Sequence, residues 1–239
     1  MKENFMRVQK YISNCGFTSR RKAEALILEG KVLINDKTAQ IGDKINPETD
    51  QVRVSGKLIK PLKSRHYIAL YKPRGYLTTM SDDRGRKCVT DLVKELDKRI
   101  YPIGRLDKDS EGLLLLTDDG DFHNYVEHPK FSVPKVYRVT VNSGVTEEQI
   151  TEMMTQSGMD SKSDIPVKIN PLVEGDERSV LEFILLEGKN RQIRKLCQSV
   201  GLEVMRLKRV AVGPVRLGRL GVGKWRELTA QEIASLYKK

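Results

Sequence analysis

The run Leu113–Leu116 constrains the fold of this 239-residue chain more than any other stretch. Four consecutive leucines follow neither the period of 2 of a half-exposed strand nor the 3.6 of an amphipathic helix. Bounded by turn residues, "GRLDKDSEGLLLLTDDG" (104–120) predicts a short strand buried on both faces. Acids fence that strand. After it, "DDGD" (118–121) reads as a turn, with Asp118, Asp119 and Asp121 solvated; the spacing is not a calcium loop and no metal is expected. Before it, Asp107 and Asp109 lie on an irregular segment leading into the buried strand, a place where a rigid core can position a functional carboxylate. The plainer reading is that Asp109 or Ser110 caps a turn there.

Charge narrows the class of partner. The formal net charge is +11, with a sequence pI near 9.5, which points to a polyanion such as nucleic acid. Cys15, Cys88 and Cys197 lie far apart and form no C-x-x-C pair, so neither a disulfide framework nor a zinc site is expected. No apolar run approaches the length of a membrane span, and "MKENFMRVQKYIS" lacks the apolar core of a signal peptide. Together these predict a cytoplasmic protein.

Two domains are expected, 1–62 and 63–239, with the polar, proline-containing "KPLKSRH" (60–66) as linker. In the first, "RVQKYISNCG" predicts a short helix stopped by Gly16. "SRRKAEALILEG" predicts a second, capped by Ser19 and closed by Gly30. "KVLIND" and "DQVRVSGKLI" predict strands. From Tyr67 onward, strand-like runs ("YIALY", "GLLLLT", "VYRVTV", "SVLEFILL", "EVMRLKRVAV", "GPVRLG") are interrupted by helical patterns near 90–98, 146–155 and 190–200. "LTAQEIASLYKK" predicts a closing helix capped by Thr229. The class is α+β.

Arg20, Arg21 and Lys22 open the second helix, where cations oppose the helix dipole. Solvent can screen them. Alternatively a phosphate sits there, between free backbone N–H groups and three cations. The stretch "RVQKYISNCGFTSRRKAEALILEGKVLIND" resembles the RNA-binding domain named after small-subunit ribosomal protein four. That resemblance implies binding of structured RNA, with Arg7, Lys10, Arg20, Arg21 and Lys22 as contacts.

The string "GRLDKDSEGLLLLTDDG" closely resembles the signature of pseudouridine synthases, in particular the rRNA-modifying Rsu type that carries such an N-terminal domain. "YKPRGYLTT" (71–79), "KVYRVTV" (135–141) and "EGKNRQIRKL" (187–196) match that branch in order, so the resemblance spans nearly the whole chain. It implies a catalytic domain on a mixed, largely antiparallel sheet and an isomerisation that gains and loses no atom and needs no cofactor. Uracil leaves ribose at N1, turns over, and rejoins through C5. The chemistry requires a carboxylate near ribose C1′, a holder for the loose base, exclusion of water and a flipped-out nucleotide.

The resemblance places the catalytic carboxylate on Asp107, attacking C1′ or taking a proton from C2′. An ionised carboxylate in a buried site calls for a nearby cation. In "NRQIRKLCQSV", Ile193, Leu196, Cys197 and Val200 form one face of a helix, with Asn190 as N-cap. Arg191, Arg194, Lys195 and Gln198 share the other face, and a solvated basic face is the plain reading. The resemblance pairs Arg194 with Asp107, while Lys189 and Arg191, near the helix start, suit phosphate. In "KVYRVTV" the alternation puts Tyr137, Val139 and Val141 on one face. Tyr137 alone reads as a core aromatic; the resemblance makes it the platform for the target base. Arg105 would fill the space the flipped nucleotide leaves. Lys72 and Pro73 match a motif that looks structural, and the three histidines show no ligand spacing.

The expected activity is therefore conversion of a uridine to pseudouridine in ribosomal RNA by a monomer. "EGKNRQIRKL" lies closer to members acting on 23S than on 16S rRNA. Two alternatives stay open. One is a non-catalytic RNA-binding or ribosome-assembly protein on the same fold, which would have no need of Asp107, Tyr137 and Arg194 together. The other is a phosphatase suggested by "DKD", although the aspartates of haloacid-dehalogenase enzymes follow their strand and these precede it.

Overall fold

A computed structural model describes residues 5–159 and 167–237. The chain forms two compact units. One holds residues up to Arg65 together with Asp118–Gly120; the other holds His66–Thr117 and residues from Asp121 onward.

The first unit runs β1 (Met6–Arg7), α1 (Val8–Asn14), α2 (Arg20–Leu28), β2 (Val32–Ile34), β3 (Lys37–Thr38), β4 (Lys44–Ile45), β5 (Val52–Val54) and β6 (Lys57–Ile59). Strands in the order β3-β2-β5-β6 form an antiparallel sheet, and β1 pairs with β4. Val8, Tyr11 and Ile12 of α1 and Ala23 and Ile27 of α2 bury against Val32, Val52 and Val54. Ser19 caps α2 as expected, its hydroxyl accepting from Lys22 N at 3.2 Å.

The second unit continues with β7 (Tyr67–Lys72), β8 (Tyr101–Ile103), β9 (Glu111–Thr117), α3 (Gly120–Glu127), β10 (Lys135–Val141), α4 (Glu147–Met159), β11 (Lys168–Val173), β12 (Ser179–Leu185), α5 (Gln192–Ser199), β13 (Val204–Val212), β14 (Val215–Arg216), β15 (Trp225–Glu227) and α6 (Ala230–Leu236). Its sheet has the order β11-β12-β10-β13-β9-β7-β15, with β14 added to β13 and β8 to β9. The β13–β9 pairing is parallel and the other pairings are antiparallel, so the fold is α+β on a mixed, largely antiparallel sheet. Lys238 and Lys239, the end of the expected closing helix, lie outside the described residues.

Strand β9 is buried along its whole length. Leu114 and Leu116 enter one core with Ile68, Leu70, Val139, Phe183 and Ile193. Leu113 and Leu115 enter a second with Ala69, Phe122, Val126 and Leu236. The strand's period of 2 is real but hidden, because both faces require leucine. At its start, Gly112 (φ +109) lies opposite Arg209 of β13, and a Cβ there would sit 2.2 Å from the Arg209 carbonyl oxygen. Only glycine lets these two strands approach.

Two expectations need correction. The 90–98 pattern forms two 3-10 turns, Val89–Leu92 and Lys94–Leu96, rather than a helix; β-branched Val93 leaves helical geometry between them (φ −127). The segment "DDGD" is only in part the solvated turn expected, Asp121 being exposed. Asp118 is buried, and α3 begins at Gly120 with Asp121 in its first turn. Phe122, Tyr125 and Val126 supply a stripe that spans barely one turn, too short to stand out in the sequence.

Candidate active site

Residues 104–110 connect β8 to β9 and carry Asp107. Leu106, 6% exposed, anchors this loop in the first core. The 72–78 segment then binds its main chain carbonyl by carbonyl. Thr78 Oγ1 donates to Leu106 O at 2.7 Å and accepts from Leu106 N at 3.2 Å. Lys72 Nζ donates to Asp107 O at 3.0 Å, Ser110 O at 2.7 Å and Pro73 O at 3.1 Å. Gly75 N donates to Lys108 O at 2.7 Å, and Arg74 Nε to Asp109 O at 3.0 Å. Five successive carbonyls, from 106 to 110, are thus held by the stretch "KPRGYLT".

Lys72 is wholly buried, and its last strand position in "YIALYK" explains why. Burial pushes its ammonium down to about 8; the Asp109 and Asp107 carboxylates partly oppose that shift. A charged amine in this place is tolerated because three carbonyl oxygens receive its three protons. The motif is structural, as its resemblance suggested, and its function is to fix the Asp107 loop.

The carboxylates of the loop meet α5. Arg191 Nη1 lies 3.7 Å from Asp107 Oδ2 and 3.5 Å from Asp109 Oδ2. Arg194 Nη2 lies 3.1 Å from Asp109 Oδ2, and its Nη1 donates to Val204 O at 3.2 Å. The expected pairing of Arg194 with Asp107 is therefore corrected: Arg194 holds Asp109, and Arg191 is the cation beside Asp107. Asp109 is correspondingly a partner of two arginines rather than a turn cap. Asn190 does not cap α5 either. Arg191 takes that position in the left-handed region (φ +52), and the turn is closed by Gln192, whose side chain accepts from Lys189 N at 3.1 Å. This turn swings the Arg191 side chain toward the loop.

Tyr137 lies on β10 opposite Phe183 and Arg209, 9% exposed, with the Arg209 guanidinium 6.0 Å from its ring centre. Val139 and Val141 share its core. Arg105 is exposed two residues before Asp107, and Lys189 pairs with Glu187 at 3.7 Å. In the first unit, Arg20, Arg21 and Lys22 are exposed at the start of α2, whereas Arg7 donates to the Gly42 carbonyl. Lys10 lies on α1. Glu111, at the start of β9, is a buried strand residue. Burial alone would raise its carboxyl, but hydrogen bonds from Arg206 and Tyr71 hold it below the usual value.

Sequence reasoning missed the roles of Lys72, Arg74 and Thr78. The usable signal was a lysine ending an otherwise apolar strand run, since a buried lysine must find acceptors. Among the described residues, no group of three or more His, Cys, Asp and Glu side chains could hold a metal ion, and no helix is long and apolar enough to cross a membrane.

The geometry is that of a core-anchored carboxylate flanked by arginines on a basic chain; comparison with known proteins supplies the class and the reaction. The model for RNA pseudouridylate synthase matches residues 66–199, and that for the S4 domain matches residues 6–52. The chain is 40% identical over 233 residues to ribosomal large subunit pseudouridine synthase B of Bacillus subtilis, covering 96% of this chain and 95% of that protein. It is 39% identical over 238 residues to the dual-specificity RNA pseudouridine synthase RluF of Escherichia coli K12, covering 99% and 80%. A crystal structure of a pseudouridylate synthase superposes with a TM-score of 0.67 at 26% identity, covering 97% of this chain and all of that one. The chain belongs to the RNA pseudouridine synthase family, in the branch that carries an S4 domain.

Proposed function

We propose that this enzyme converts one uridine of large-subunit (23S) ribosomal RNA to pseudouridine, with Asp107 as the catalytic carboxylate. The observation that carries the assignment is the hold on the Asp107 loop: five carbonyls are bound, while the Asp107 side chain itself stays about one-third exposed beside Arg191. Such a group is presented to substrate, and its shape is set before RNA arrives.

Asp107 either attacks ribose C1′ as uracil leaves through N1, or removes the C2′ proton to expel it. In the first route C5 of the rotated uracil displaces the carboxylate from C1′; in the second C5 adds to C1′ and the carboxylate returns the proton to C2′. In both, C5 gives up its proton and N1 takes one, so no oxidant or cofactor is consumed. Tyr137 supplies the apolar and aromatic surface under the loose base, and Arg194, fixed by Asp109, supplies positive charge beside the site. Arg105, Lys189 and Arg191 bind the RNA around the flipped nucleotide, and Arg7, Lys10, Arg20, Arg21 and Lys22 of the N-terminal domain bind phosphate. The division near residue 62 into an RNA-binding and a catalytic domain, a cytoplasmic location and a monomeric state belong to the same reading. The large-subunit assignment rests on the names of the relatives.

Pseudouridine mapping tests the proposal. Unmodified 23S and 16S transcripts, and immature subunits, are incubated with wild type and with Asp107→Asn, then treated with carbodiimide and read by primer extension. One new stop in 23S with wild type, absent with the variant, is expected. A stop that persists with Asp107→Asn removes Asp107 from the chemistry, and a stop in 16S alone overturns the substrate.

A further inference from the structure

A cavity of about 410 Å³ opens in the second unit, between the end of α3, the start of β10 and the Glu187–Lys189 turn. It lies within the size range of small-molecule sites, about 300–1,000 Å³. Asp107, Tyr137 and Arg194 do not line it, yet it adjoins their site. Lys189 lies two residues before Arg191. The Glu127 carboxylate rests on Gly104, three residues before Asp107: a Cβ at Gly104 would stand 2.5 Å from Glu127 Oε2.

The lining is mixed in charge. Glu127, Glu187, Lys135, Lys189 and His128 all line it, and Glu187 and Lys189 pair with each other at 3.7 Å. Lys135 is only 8% exposed, and its ammonium donates one hydrogen bond, to Val126 O at 3.3 Å. Two of its protons are therefore left for a ligand, and burial holds its pKa below the ordinary lysine value. His128 Nδ1 accepts from Lys130 N at 3.2 Å, which leaves the ring proton on Nε2 as a further donor.

This mixed charge favours neither a simple anion nor a simple cation. Two carboxylates repel phosphate, and two ammonium groups repel a cation. A neutral ligand with adjacent donors and acceptors suits it, and a nucleobase is such a ligand. Among the four bases, guanine alone offers two neighbouring donors, N1–H and N2–H, to the two oxygens of one carboxylate, with the acceptor O6 beside them. Resting on the reading that RNA is the substrate, we propose that the cavity is a base-recognition subsite taking an unpaired guanine near the target uridine. Glu127 receives N1–H and N2–H, and Lys135 donates to O6.

The test needs no turnover. The probe is the fragment of a 23S transcript that binds best to the full-length Asp107→Asn chain. Each guanosine in it is replaced in turn by inosine, which lacks the 2-amino group. One position is expected to raise Kd about tenfold, and the same replacement is expected to cost nothing once Glu127→Gln is added. Glu127 is exposed, so this variant keeps the fold. Inosine tolerated everywhere, or a penalty equal in both proteins, overturns the subsite. Pseudouridine formation by the chain with Asp107 intact is scored separately. Turnover without an inosine effect removes the subsite alone; an inosine effect without turnover removes the catalytic reading alone.

Discussion

At the scale of single residues, Asp109 and Lys72 carry the sharpest expectations. Asp109 accepts from both arginines, so Asp109→Asn loosens Arg194 and also the Arg191 guanidinium that faces Asp107, while the Asp107 side chain itself is unchanged. Single-turnover rates should fall roughly 10- to 100-fold, with Asp109→Glu recovering part of the loss and RNA affinity nearly constant. An unchanged rate would return Asp109 to the role of a turn residue. Lys72 predicts a pH dependence. Its folded pKa, about 8, lies below the ordinary 10.5, so between those values the unfolded chain binds more protons than the folded one. Its contribution to stability therefore rises from pH 8 to 10.5. Activity should move the other way. A neutral amine keeps two protons for three carbonyls, so the Asp107 loop loses one tether. The kcat profile should show an alkaline limb near pH 8 that is absent from whatever activity Lys72→Met retains.

At the scale of elements, the close approach of β9 and β13 is the sensitive point. Gly112→Ala places a methyl against the Arg209 backbone and forces a positive φ on alanine. Overpacking and backbone strain together should cost about 3 kcal/mol. Thermal unfolding should then shift down by roughly 6–12 °C. A wild-type melting temperature would mean that the parallel pairing can open cheaply. The same strand shows how far the sequence could be read. Leu113–Leu116 announced a strand buried on both faces, and the periodicities of α2, α5 and β10 placed those elements. Helix α3 stayed hidden because its apolar stripe, Phe122, Tyr125 and Val126, spans barely one turn. The Asp107–Arg191 and Asp109–Arg194 pairs stayed hidden because they depend on a left-handed turn at Arg191. A non-glycine residue gives no sign of that conformation.

At the scale of the whole molecule, charge governs how RNA is held. With a net +11, binding should weaken steeply as salt rises. Each phosphate contact removed lowers the slope of log K against log salt by about 0.7–0.9. Replacing Arg20, Arg21 and Lys22 together by alanine should therefore reduce that slope by about 2, with little change in which uridine is chosen. A change in the modified position instead would make these cations readers of sequence rather than of phosphate.

The grip on residues 106–110 has a consequence for how the reaction centre can change. Its contacts are made to main-chain oxygens, which every amino acid carries, and not to the side chains of Asp107, Lys108 or Asp109. The 72–78 segment is blind to what the loop displays; its carboxylates are read by Arg191 and Arg194 at α5. Side chains there can be exchanged without loss of the main-chain tethers, so the loop's path and its chemistry are largely separable in this enzyme. A library randomised at 107–109 should remain largely soluble and cooperatively folded while losing turnover, which makes this loop a natural place to install a different reaction.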